Sequence, residues 1–155
     1  MPVPTSEQLH AYAFVHEDIA NALNGLTTAQ LQTTPAPGEW SVQQILVHLA
    51  DSESVNYQRL RITLAEDHPT LSDWDEERWA SNLYYHQQDP FLALELFHVL
   101  RQLSTTLLQQ LSSPAWERTA FHPVNGEMSV YDLFLRHLNH GTAHLQQIEK
   151  IKQQL

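Results

Sequence analysis

The chain has 155 residues, 42% hydrophobic and 17% charged, a balance that excludes disordered and fibrous architectures and fits one globular domain over residues 1–155. Lys and Arg total 8 against 18 Asp and Glu, a formal charge of −10, which repels phosphate backbones and anionic membranes, so no nucleic-acid partner is expected. With no cysteine, disulfides, iron–sulfur clusters, thiolate nucleophiles and cysteine zinc sites are excluded together, and any metal must be held by nitrogen and oxygen. No apolar run approaches the roughly 18 residues of a membrane span, and the first residues lack a secretory signal pattern, so a soluble cytoplasmic chain is expected. The unusual feature is ten histidines.

Helical periodicity dominates. Leu9, Tyr12, Ala13, His16, Ile19, Ala20 and Leu23 recur at helical spacing, with Thr5 and Gln8 as a capping box and Asn24-Gly25 as a stop. Residues 33–38 read as a loop. Ser41 with Gln44 opens a second helix that runs to about Glu66 before Pro69. Asp73 to Tyr85 predicts one short extra helix carrying Trp74 and Trp79. Asp89-Pro90 caps and starts the third long helix, whose stripe Leu92, Leu96, Leu100, Leu103, Leu107 and Leu111 is the expected core face. Phe121 to Glu127 is a connection with at most a short extended piece and no identifiable partner strand. Ser129 with Asp132 opens the last long helix. The pattern predicts an all-α four-helix bundle.

The last helix breaks its own pattern. Projected at about 100° per residue from Leu133, the residues Val130, Ile148, Ile151 and Leu155 fall within roughly 60°. On that projection His140 lies near −20°, His144 near 20° and His137 near 40°, in the middle of the apolar stripe. Burying an imidazole without partners costs on the order of a kcal/mol or more, so such a break points to a functional site. His140 and His144, four residues apart, can lean on one point and supply two nitrogen ligands to a metal. Spacing leaves the third ligand open between His48 on the second helix and His16 on the first. Ser52, Asn56 and Arg59 continue the edge on which His48 lies. His137 is expected in a supporting position or in the pocket wall. His10, His68, His86, His98 and His122 are expected on loops or solvated faces, and the acidic cluster Asp73, Asp75, Glu76 and Glu77 at a solvated helix start. Gly141, inside a helix, costs about 1 kcal/mol relative to Ala. It signals either room for a substrate or close approach of another helix.

The run from Gly38 to Glu53, containing Trp40, Ser41 and His48, resembles the second-helix signature of the DinB-like superfamily. The stretch from Leu71 to Ala80 resembles its lid segment, and His140 to Ile148, with His144 and Gln147, its last-helix motif. The resemblance covers nearly the whole chain, in order. It implies an up-down-down-up bundle, often homodimeric, with one divalent ion held by three histidines. Carried over by position, the ligands are His48, His140 and His144. It also implies relatives that transfer or isomerise with low-molecular-weight thiols. One departure stands out: where the family often has an acid after the first histidine of the pair, this chain has Gly141.

The expectation is therefore a metal-dependent enzyme acting on a small molecule. One Zn²⁺, Ni²⁺ or Fe²⁺ ion, a low-molecular-weight thiol as a candidate second substrate, and either thiol transfer or hydrolysis fit it. Glu53 and Asp51 are the nearest acidic candidates for base work, and His137, Ser52, Asn56 and His16 for pocket or supporting roles. The alternatives are a non-catalytic metal-binding bundle and a plain helical dimer with hydrogen-bonded core histidines.

Overall fold

The computed structural model describes residues 2–155. Four long helices, α1 (Ser6–Ala22), α3 (Val42–Ala65), α5 (Pro90–Leu108) and α6 (Val130–Gln154), form the bundle. Between them lie two short helices, α2 (Thr28–Gln32) and α4 (Glu76–Asn82). The local start signals work as chemistry predicts. Thr5, Ser41 and Ser129 each accept the backbone N–H three residues on while Gln8, Gln44 and Asp132 bond back, and Asp89 caps α5 ahead of Pro90.

Two hydrophobic clusters mark the two ends of the bundle. Ile19, Ile45, Phe97 and Ile148 share one; Tyr12, Leu60, Leu108 and Leu133 share the other. Helices α3 and α5 run from the first cluster to the second, and α1 and α6 run the opposite way. The order is thus up, down, down, up. Because α3 and α5 are parallel, the chain must return along the bundle between them, and residues 66–89 do so over the side of the molecule, carrying α4. No helix among the described residues is long and apolar enough to cross a membrane.

Several expectations are corrected. There are two short α-helices rather than one, since Thr27 and Gln30 form a further capping box for α2. The segment after α5 holds a β-hairpin, β1 (Thr119–His122) with β2 (Gly126–Ser129). Its partner strand lies within the connection itself, and the turn closes through Gly126 at φ 76°, a left-handed conformation that a side chain would strain. β1 also binds the crossing segment: Phe121 N–H donates to Pro69 and Leu71 N–H donates to Phe121, both at 2.8 Å. That clamp fixes where Trp74 lies.

The leucine stripe of α5 does not form the core. Leu92, Leu96 and Leu103 are 64%, 45% and 47% exposed, and α5 buries Phe97, Arg101, Ser104, Thr105 and Leu108 instead. The inward face is largely polar because a hydrogen-bonded layer lies between the two apolar clusters. Leu155 likewise leaves the α6 stripe, lying just past the helix end, and is exposed.

Burial of Leu108 (1% exposed) against exposure of Val124 (71%) sets a direct comparison. Leu108→Ala is expected to lower stability by about 2–5 kcal/mol through lost burial and a residual cavity. Val124→Ala is expected to stay within about 0.5 kcal/mol. Urea unfolding followed by circular dichroism measures both.

Candidate metal centre

The antiparallel pairing of α3 and α6 brings His48 opposite the one-turn pair His140 and His144. His48 is fully buried and the other two are partly so. Nε2 of His140 lies 2.9 Å from Nε2 of His48 and 3.1 Å from Nε2 of His144. One ligand atom from each of the three falls within 4.8 Å of the others. Gln147, one turn on, accepts the Nδ1–H of His144 at 2.8 Å, which leaves the lone pair of that ring on Nε2. The His48 ring lies between two indoles, 4.8 Å from Trp40 and 5.8 Å from the nearly parallel Trp74. Its Nδ1 is buried with no hydrogen-bond partner.

Burial sets the protonation of the three rings. Desolvation, then His144, pushes His48 down to about 3. Desolvation, then the two neighbouring imidazoles, lowers His140 further, and desolvation lowers His144 against its bond to Gln147. All three are neutral at pH 7. Each Nε2 then carries either a proton or a lone pair, so three converging nitrogens cannot satisfy one another fully. Three neutral nitrogen donors around one point suit a divalent ion of the Zn²⁺, Ni²⁺ or Fe²⁺ type rather than Ca²⁺ or Mg²⁺.

The other candidate residues are distributed around this centre. His137 is buried beside His140, with Nδ1 3.9 Å from Glu53. Glu53, 1% exposed, holds Arg101 in an ion pair at 2.8 Å and accepts the Tyr12 hydroxyl at 3.1 Å. Asn56 contacts the same group, donating at 3.5 Å to the Tyr12 oxygen and to Glu53. Ser52 is buried on the same helix. Asp51 accepts the Tyr85 hydroxyl at 2.5 Å on the side of α3 that faces α5, and burial raises its pKa. His16 stands apart from the triad, its ring 3.7 Å from that of His98 in the groove between α1 and α5. His98 is therefore half-buried rather than solvated, and His122 is buried in the hairpin. At Gly141 an added Cβ would meet Val15 Cγ1 at 3.4 Å and Arg101 Nη2 at 3.5 Å, so the small residue serves close packing of α6 on α1 and α5.

Sequence reasoning did not single out Arg101 or the tautomer-setting part of Gln147, nor did it find the cleft beside His144. That cleft, about 570 Å³, is bounded by Trp40, His144, Gln147, Glu39, Glu76 and Lys150 among others. Glu76 lines it while remaining exposed, as expected of the acidic helix start, and partial desolvation raises its pKa, opposed by Arg136. The signal in the sequence was the proximity of the acidic cluster to the lid tryptophans, which only the fold turns toward a histidine.

A family model described as the DinB superfamily matches residues 11–148. A candidate metal-dependent hydrolase of Oceanobacillus iheyensis is 33% identical over 137 residues, covering 86% of this chain and 79% of that protein. YfiT of Bacillus subtilis, also named as a candidate metal-dependent hydrolase, is 29% identical over 136 residues, 85% of this chain and 76% of its own. The solved structure of YfiT, described as having an unusual four-helix-bundle topology, superposes with a TM-score of 0.90 at 25% identity, over 99% of this chain and 90% of that one. A mycothiol-dependent maleylpyruvate isomerase shares the fold at a TM-score of 0.71 and 14% identity, covering 94% of this chain and 62% of that one.

The depressed imidazole pKa values make metal-free protein acid-sensitive. A histidine whose folded pKa lies below its unfolded value binds fewer protons when folded, so stability is lost as pH falls below about 6.5. With His48 at about 3, this one ring is expected to cost about 2 kcal/mol at pH 5 relative to neutral pH. Urea midpoints of the metal-free chain at pH 7 and pH 5 measure the loss, which His48→Gln should reduce. Equal midpoints at the two pH values would contradict it.

Proposed function

This chain belongs to the DinB superfamily, and on that premise we propose that it is a metal-dependent hydrolase of a small molecule, with one divalent ion held by His48, His140 and His144. The observation that carries the reading is the convergence of three neutral Nε2 atoms at the edge of an open cleft. Three protein ligands with a cleft beside them suit a catalytic rather than a closed structural site. A divalent ion so held supplies Lewis acidity at neutral pH.

The chain's own groups have separable tasks. Gln147 holds His144 in the ligating tautomer, and Trp40 and Trp74 shield His48 from solvent. The cleft receives the substrate. Glu76 is the carboxylate there whose raised pKa suits holding or moving a proton. Glu53 is committed to Arg101 and Asp51 to Tyr85, so both serve the framework of the site rather than proton transfer. Since the chain has no cysteine, thiol transfer at the same centre requires the thiol as a second substrate. The exposed Phe91, Leu92, Leu96, Val99 and Leu103 on α5 support a homodimer through that face.

Elemental analysis and calorimetric titration are expected to show one ion per chain. His48→Ala, His140→Ala and His144→Ala should each weaken binding by more than about 100-fold, Gln147→Ala by about tenfold, and His98→Ala not at all. A panel of esters, amides and lactams, run with and without an added thiol, tests the reaction. Hydrolysis without thiol is expected, with Glu76→Gln lowering kcat by about 100-fold or more. Turnover only with thiol would replace hydrolysis by transfer. Failure to bind any divalent ion would overturn the reading as a whole.

A further inference from the structure

Arg59 on α3 is 5% exposed, yet no carboxylate forms an ion pair with it among the described residues. Its Nη2 donates to the Ser72 carbonyl, and its Nε is buried with no partner. A buried guanidinium without a counter-ion is strongly unfavourable, because its lost hydration is not replaced. Burial accordingly lowers the Arg59 pKa, and the charge of Arg136 on α6 lowers it further, while Asp73, too far for an ion pair, opposes both.

A second orphaned donor lies on the hairpin. His122 is 2% exposed, and its Nδ1 accepts the backbone N–H groups of Val124 and Asn125 at 3.1 and 3.2 Å. The ring proton must then be on Nε2. That Nε2 is buried without a hydrogen bond, 3.9 Å from Asp73 Oδ1, beyond bonding reach. Burial and the neighbouring Arg59 keep this ring neutral, so it acts as a donor and not as a charge. Arg59 and Asp73 line a pocket of about 190 Å³ whose other walls include Val55, Ile62, Trp74 and Trp79. The indole of Trp74 also stacks on His48, so this pocket and the metal centre share one ring.

We propose that Arg59 binds the carboxylate of a small monoanionic organic acid whose apolar part lies against Trp74 and Trp79. A guanidinium edge matches the two oxygens of a carboxylate. The Asp73 carboxylate at the pocket disfavours a dianion. The apolar walls favour an alkyl or aryl acid over a bare ion. The site requires no metal, and it stands or falls separately from the reaction at the triad.

The test uses the full chain, metal-free, titrated with sodium butyrate at constant ionic strength. The readouts are tryptophan fluorescence and the NMR signal of the Arg59 Nε–H. Saturable millimolar binding is expected, with inorganic phosphate and n-butylamine at least about tenfold weaker. Arg59→Gln should weaken butyrate binding at least about tenfold, whereas Arg78→Gln, an exposed arginine (74%), should leave it unchanged. Should Arg59→Gln not fold, Arg59→Lys replaces it and must bind more weakly than wild type. Absence of saturable butyrate binding, unchanged affinity in the Arg59 variant, or tighter binding of phosphate would each overturn the proposal.

Discussion

One buried guanidinium ties the bundle together. Arg101 on α5 forms an ion pair with Glu53 on α3 and donates to the carbonyls of Tyr12 on α1 and His137 on α6, both at 2.9 Å. It thus touches all four long helices at one level. The Nε contact with Glu53 is an ion pair rather than an aligned hydrogen bond, while the Nη groups make the directional bonds. The Tyr12 ring stacks under the guanidinium at 3.9 Å. Replacing such a pair by well-packed apolar residues is often neutral, but removing one partner leaves the other charge stranded. The value of this layer lies in specifying how the helices register, since an apolar core tolerates sliding that directional bonds to backbone carbonyls do not.

That register is what the triad depends on. Arg101 bonds the His137 carbonyl one turn before His140, and Glu53 is little more than one turn beyond His48. The same network therefore sets α6 against α3 at the level where three Nε2 atoms must meet. Close packing of α6 on α1 and α5 at Gly141 belongs to the same arrangement: a larger residue there would press on Val15 and Arg101. The position at which the family often carries an acid lies beside a guanidinium whose carboxylate partner, in this chain, comes from α3.

The outer wall of the centre is built by non-local chain. The parallel course of α3 and α5 forces a long return, and that return carries Trp74 and Glu76 past the mouth of the site. The β-hairpin pins the return by backbone hydrogen bonds at Pro69 and Leu71. His122, buried in the hairpin, caps its turn and faces Asp73 of the return. A connection that looks like filler between helices thus determines the shape of the cleft and of the smaller pocket beside it.

Helix starts, the order of long helices and the candidacy of His140 and His144 were legible in the sequence, because capping and 3.6-residue periodicity act within a few residues of chain. His48 was not separable from His16 by spacing, since both lie on faces of their helices that turn inward; the antiparallel contact of α3 with α6 brings His48 to the triad and sends His16 to His98. The α5 leucine stripe misled for a related reason. Its three-to-four-residue regularity is real, but the bonded layer between the apolar clusters draws Arg101 and Ser104 inward, so Leu92, Leu96 and Leu103 face out. Pairing across the hairpin, burial of Arg59 and His122, and the tryptophan walls around His48 depend on residues far apart in the chain meeting in space. Local sequence determines which elements form and which side chains are chemically able; only tertiary packing decides which of them share a site, because burial and distance are properties of the assembled layers.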